Sequence, residues 1–197
     1  MHTNAVALLV IFVASATPSM PAVAAAAPQS FTLYTGRVSA EDTWHDILLK
    51  PYNRNYTEQY LIAGAYNRQY AEHFDGALRT EYEINAAYHF GEQSYWELNI
   101  APVELRWNRF PWSNLLNTTV AFGLGLSYDF KYPEVEYRLE NDTKQLLFFW
   151  QLELTAGPRG GPWSGVLRLH HRSPAWGAAG VADGGSNAPS VGFRYAF

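Results

Sequence analysis

The stretch ALRTEYEINAAYHF, residues Ala77 to Phe90, alternates without a break. Leu78, Thr80, Tyr82, Ile84, Ala86, Tyr88 and Phe90 fall on one side of an extended chain. Arg79, Glu81, Glu83, Asn85 and His89 fall on the other. A period of two is the repeat of a β-strand, so this segment reads as a strand with one apolar and one charged face. A soluble sheet turns the charged face to water, whereas a closed barrel in a membrane turns it inward. The neighbouring segments decide between the two.

LNTTVAFGLGLSYDF sets Val120, Phe122, Leu124, Leu126 and Tyr128 against Thr119, Ala121, Gly123, Gly125, Ser127 and Asp129. Glycines and small polar residues on one wall suit the crowded interior of a small barrel. SYWELNIAPVELRW alternates until Pro102, where the phase flips so that Val103, Leu105 and Trp107 become the apolar set. One extra residue swaps the faces of a strand, so a bulge is expected there. QLLFFWQLELTAG opposes Gln151, Glu153 and Thr155 to Leu152, Leu154 and Ala156. With FTLYTGRV, YLIAGAYNRQYAEH, WSGVLRLHHRS and APSVGFRYAF, eight strands are predicted.

Their connections alternate in length. His73 to Gly76 carries an Asp-Gly hairpin signal, and the segments around FPWSN and GPRGGPW are rich in turn residues. The links after the first, fifth and seventh strands are long, while Phe90 to Ser94 is short. Short turns at one end and long loops at the other are the habit of outer-membrane barrels, whose strand number is even and starts at eight. The last strand ends Val191, Phe193, Tyr195, Phe197, an apolar stripe with a terminal aromatic that resembles the assembly signal of such barrels. The fold expected is an all-β, eight-stranded antiparallel transmembrane barrel of the bacterial outer membrane. Closure removes the sheet edge that hydrocarbon does not tolerate.

Composition agrees. The chain has 7 Trp, 13 Tyr and 11 Phe, no cysteine, 16% charged residues and a net charge of −4. Its mean hydropathy is −0.21. Disulfide scaffolds and thiolate metal sites are excluded, and no basic surface for nucleic acid is implied. Residues 1–26 read as a signal peptide: the apolar run from Ala5 to Ala14 is too short to span a bilayer, and AVA at Ala22 to Ala24 offers a cleavage site. Residues 27–197, about 170 in number, then form a single barrel domain.

Within WSGVLRLHHRS, Leu167 and Leu169 define the outward face. Arg168, His170 and Arg172 therefore point into the lumen, with Glu153 and Gln151 of the preceding strand as expected neighbours. His171 and Ser173 share the outward parity near the outer end of the strand. Polar side chains at a headgroup rim are ordinary. Side chains at i and i+2 are also neighbours on one face, so His171 can take the proton of Ser173 as a general base. Arg79, Glu81, Glu83, Glu97, Asn99, Glu153, Arg168 and Arg194 are expected to fill the lumen as paired charges, without catalysis. His170 and His171 point to opposite faces, so no metal site and no cofactor is expected.

On these residues the chain resembles the lipid A 3-O-deacylases, PagL-like acyloxyacyl hydrolases, as a divergent member. The family consists of eight-stranded outer-membrane barrels with a His-x-Ser pair near the outer end of the penultimate strand. His171-Arg172-Ser173 matches that pair in residue type, strand number and facing. The wider pattern RWNRFPW, AFGLGLSY, LRLHHRS and GGSN before a final RYAF is similar to a group of barrels assigned to this family. The resemblance implies an ester hydrolase acting on lipopolysaccharide in the outer leaflet, and assembly by the outer-membrane machinery through the last strand. A homodimer stays open. Two departures stand out. Pro174 follows the serine where the family has Asn, and no Glu occurs after Glu153 to complete a triad. Asn187, of outward parity, and Asp183, in the last loop, are the candidates to orient His171; Cys-His-Asn enzymes show that an amide can serve. The competing reading is a non-enzymatic structural or adhesive barrel whose loop Ser39 to Glu58, with Trp44, Tyr52 and Tyr56, binds a partner. A palmitoyl-transfer barrel finds no motif in the chain.

Overall fold

A computed structural model describes residues 28–40, 44–49 and 55–197. The predicted signal peptide and Tyr52 lie outside these. Eight strands occur: β1 (Gln29–Ser39), β2 (Tyr56–His73), β3 (Leu78–Gly91), β4 (Tyr95–Trp107), β5 (Leu116–Asp129), β6 (Leu146–Pro158), β7 (Trp163–Ser173) and β8 (Ser186–Ala196). Each pairs antiparallel with the next in sequence, and β1 pairs with β8 from Ser30↔Ala196 to Gly36↔Ser190, which closes the barrel. Among the described residues two short helices sit in the connections, α1 (Trp44–Leu49) after β1 and α2 (Glu134–Glu140) after β5.

The faces follow the alternation. In β3, Glu81, Glu83, Asn85 and His89 are buried, while Ile84 and Phe90 are exposed. Ile100, Leu105, Phe122, Leu124, Leu126, Val191 and Phe193 continue an exposed apolar band around the wall, the surface that a hydrocarbon surrounding requires. The phase flip in β4 is a bulge: its register with β5 jumps between Ile100 and Val103, so Ala101 and Glu104 both point inward. A Cβ on Gly125 would fall 1.8 Å from the Ile100 carbonyl oxygen, so the bulge presses directly on that glycine. At the β2–β3 turn Asp75 and Gly76 have φ of 53° and 79°, and the Ala77 amide donates to the Phe74 carbonyl. This is the left-handed conformation that an Asp-Gly hairpin supplies. The start of β1, the end of β8 and the turns after β2, β4 and β6 share one end of the barrel; the connections after β1, β3, β5 and β7 share the other.

Charge fills the middle of the lumen. Arg106 donates to Glu81 (3.0 Å), Glu104 (2.5 Å) and Glu153 (2.9 Å). Arg168 bridges Glu83 and Glu153 at 2.6 and 2.7 Å, and Arg194 reaches Glu81 and Glu153. The expected network is therefore present, with Arg106 and Glu104 at its centre. Arg79 instead meets Glu72 near the turn end at 3.9 Å, and the Asn99 amide has no partner among the described residues. Removing one member of such a cluster strands a buried charge, at a cost of about 3–5 kcal/mol, so these groups lock the barrel. At the loop end α2 closes the lumen, burying Val135 and Glu136.

Candidate functional site

β7 carries two sets of side chains in opposite directions. Inward, His170 lies between the Tyr34 hydroxyl (2.8 Å) and Glu97 (2.9 Å), and Glu97 also meets His89 at 2.6 Å. Arg172 meets neither Glu153 nor Gln151; it pairs with Asp129 and donates a hydrogen bond to Glu136 of α2, because by its level the strand has passed the central cluster. Burial pushes the Glu136 carboxyl up to about 8, against the Ser186 and Thr143 hydroxyls that donate to it.

Outward, the registers of β6, β7 and β8 align Trp150, His171 and Asn187 as direct cross-strand partners. His171 Nδ1 lies 2.7 Å from Asn187 Oδ1. Since an amide oxygen can only accept, the imidazole donates from Nδ1 and its Nε2 lone pair is the basic one. The Trp150 indole packs on the imidazole at 4.2 Å between centroids, and Trp44 of α1 meets Trp150 edge-on at 5.6 Å. The ring is held by a hydrogen bond on one edge and an indole on one face.

Ser173 closes the strand, half-buried. Its Oγ accepts a hydrogen bond of 3.1 Å from the Ala175 amide and makes none to His171 among the described residues. Two residues along a strand separate Cβ atoms by roughly 7 Å, a gap that an imidazole and a hydroxymethyl group turned toward each other can close. Beyond Ser173 the chain turns left-handed at Ala175 (φ 49°), Trp176 (56°) and Gly177 (90°), which leaves the Trp176 side chain fully exposed. Non-glycine residues in this region carry strain of about 1–3 kcal/mol each. The structure thus brings His171 and Asn187 together, with Ser173 on the same face. Asp183 is exposed in the β7–β8 loop and makes no hydrogen bond to His171.

The surroundings differ from a bare rim. Outward residues elsewhere on β6 and β7 are open, Leu154 at 42% and Leu167 at 57%, yet Leu169 is 2% exposed and His171 8%. Trp150 covers His171, and α1 lies beyond it on the outer wall, where buried Ile47 lines a cavity together with Leu169. Trp44, read from the sequence as part of a partner-binding loop, packs on Trp150, and Tyr56 lies under the Arg37 guanidinium. Trp150 is a site residue that parity arguments on β7 miss. The short turn at residues 159–162 signals it, because a tight hairpin pairs positions equidistant from its centre.

No family model matches the chain, and no curated protein does. Among solved structures, the chain is similar to one described as the outer membrane enzyme PagL, with a TM-score of 0.60 at 12% identity, over 85% of this chain and 99% of that one. The likeness establishes the fold: a closed eight-stranded antiparallel barrel of the outer-membrane type.

Proposed function

We propose that the protein is an outer-membrane ester hydrolase of the lipid A deacylase type, acting on lipopolysaccharide in the outer leaflet with Ser173 as nucleophile and His171 as base. The observation that carries this reading is the 2.7 Å contact from His171 Nδ1 to Asn187 Oδ1, on the outward wall beside Ser173. It fixes the tautomer that a general base requires. Support comes from the barrel's likeness to an outer membrane enzyme and from the position of the pair at the loop end, which in this reading faces outside.

In the reaction, Ser173 Oγ attacks the ester carbonyl carbon while His171 Nε2 takes its proton. The tetrahedral intermediate collapses to an acyl-serine, and the departing sugar oxygen receives that proton. Water, activated by the same nitrogen, then releases the hydroxyacyl chain as an acid and restores the serine. Asn187 holds the imidazolium through Nδ1–H. Pro174 has no amide hydrogen, so the backbone donor that meets the nucleophile is the Ala175 amide, 3.1 Å from Oγ.

Mass spectrometry of lipid A from cells expressing the protein tests the proposal. The expected product is lipid A lighter by one hydroxyacyl chain, with the loss abolished in Ser173→Ala and in His171→Ala. An unchanged lipid A in the presence of folded protein and a matching lipopolysaccharide leaves the non-enzymatic barrel as the reading.

A further inference from the structure

The cover over β7 has a shape of its own. Between α1 and the wall lies a cavity of about 700 Å³. Its floor is Leu152, Leu167, Leu169 and Val191, and its roof is Ile47 and Leu48. A second, smaller hollow of about 250 Å³ continues it along the wall, sharing Leu154 and Leu167 and ending at Gly165 and Ala156. Sharing those two side chains, the hollows make one trough that follows β7 from Leu169 to Gly165 toward the turn end, on the face that also carries His171.

Its chemistry is uncharged. Two lining residues carry charge, and both are engaged elsewhere. Arg168 is turned inward to Glu83 and Glu153. Arg37 spends its guanidinium on Glu58 (2.5 Å) and on the Thr57 carbonyl (2.6 Å). A polar headgroup finds no free partner along the trough, whereas a hydrocarbon chain does.

Its length also selects. From Leu169 to Gly165 the trough follows the strand for roughly 13 Å, and His171 lies roughly 7 Å beyond its upper end, at ~3.3 Å per residue. One leaflet of hydrocarbon is about 15 Å deep, half of ~30 Å. The trough is therefore close to the depth of one leaflet, and an extended acyl chain lying in it brings its ester end up to the level of His171. It is also continuous with the apolar wall that a lipid leaflet covers, so a chain can enter sideways without crossing water.

We infer that α1 and the β6–β8 wall form a binding site for one unbranched acyl chain, with Ile47 as its roof and Gly165 as the position that sets the longest chain admitted. This rests on the hydrolase reading for the chain's ester end, but the site is testable without turnover. A Cβ on Gly165 would meet nothing closer than the Ala156 carbonyl oxygen at 3.7 Å. Gly165→Phe therefore fills the far end of the trough from the outward face without disturbing the barrel.

The experiment uses purified full-length protein carrying Ser173→Ala, with the methyl esters of lauric and palmitic acid bearing a diazirine at the chain end. After photolysis, labelled peptides are mapped by mass spectrometry, with and without excess unlabelled ester. Saturable labelling concentrated on α1 and on β6–β8 is expected from both probes. Gly165→Phe should lose the saturable label from the palmitoyl probe and keep it from the lauroyl probe. Ile47→Trp, filling the roof, should lose both, and heat-modifiable migration on gels checks that each variant is folded. Labelling spread evenly around the wall, or insensitive to competitor and to both variants, overturns the inference. Saturable labelling together with unchanged lipid A in cells sinks the hydrolase reading while the acyl site stands.

Discussion

Asn187→Ala is the substitution that interrogates the site most directly. In the resting protein the amide accepts one neutral hydrogen bond from the imidazole at 2.7 Å, a contact worth about 0.5–1.5 kcal/mol. When His171 takes the proton of Ser173, the same bond becomes charge-assisted and is worth about 1.5–3 kcal/mol. Because the stronger bond exists only after proton transfer, its loss falls chiefly on the transition state. The difference between the two, about 1–1.5 kcal/mol, is what the transition state loses, so at about 1.4 kcal/mol per tenfold turnover should fall by roughly 5- to 13-fold. KM should barely move, since Asn187 lies beside the base and not in the acyl trough. The assay is release of the hydroxyacyl chain from purified lipid A, read as separate kcat and KM values, with gel migration to confirm folding. Asn187→Asp keeps the geometry and gives the imidazolium a full counter-charge, so it should retain or exceed the unmodified rate. If Asn187→Ala turns over as fast as the unmodified protein, or if its loss appears entirely in KM, the orienting role of Asn187 is wrong.

Four further outcomes test the fold around the site. Glu136→Gln should flatten the pH dependence of thermal stability in detergent. The buried carboxyl holds its proton to about pH 8, so the folded state binds more protons than the unfolded one between pH 4.5 and 8; stability is then lost as pH rises through that window. A melting temperature whose pH dependence is the same in both proteins refutes this. Gly125→Ala should lower stability by about 1–3 kcal/mol, because the Cβ collides with the β4 bulge, and an unperturbed denaturation curve removes that argument. Leu124→Arg, on the exposed band, should cost about 2–4 kcal/mol near the bilayer midplane and reduce the heat-modifiable species. A tag after Gly177 should be labelled on intact cells while one after Asp75 should not; the reverse pattern inverts the barrel and places His171 at the inner leaflet.

How much of this is legible in the sequence depends on whether the deciding contact is local. The alternation from Leu78 to Phe90 follows from strand geometry alone, and the flip at Pro102 is as plain, since one inserted residue must exchange the faces. The tight turns at Asp75-Gly76 and at residues 159–162 fix their hairpin registers, so Trp150 opposite His171 follows from counting. The alignment of Asn187 with His171 is less accessible. Parity puts both outward, but residues 174–185 intervene, and only the register of β8 decides whether the amide meets the imidazole or lies a step away. The helix over the wall is not legible at all. WHDILL shows no sustained period, and nothing in its residues says that Ile47 turns back toward the barrel wall. Its placement comes from what the barrel lacks: β6 and β7 offer an outward apolar surface beside two polar side chains, and covering them with Ile47, Leu48 and Trp44 keeps His171 and Asn187 together in a dry setting. If that cover guides an acyl chain to the serine, the loop that reads as an adhesive surface is part of the active site. The two functional readings of the sequence then differ in what lies beneath Trp44 and not in which residues matter.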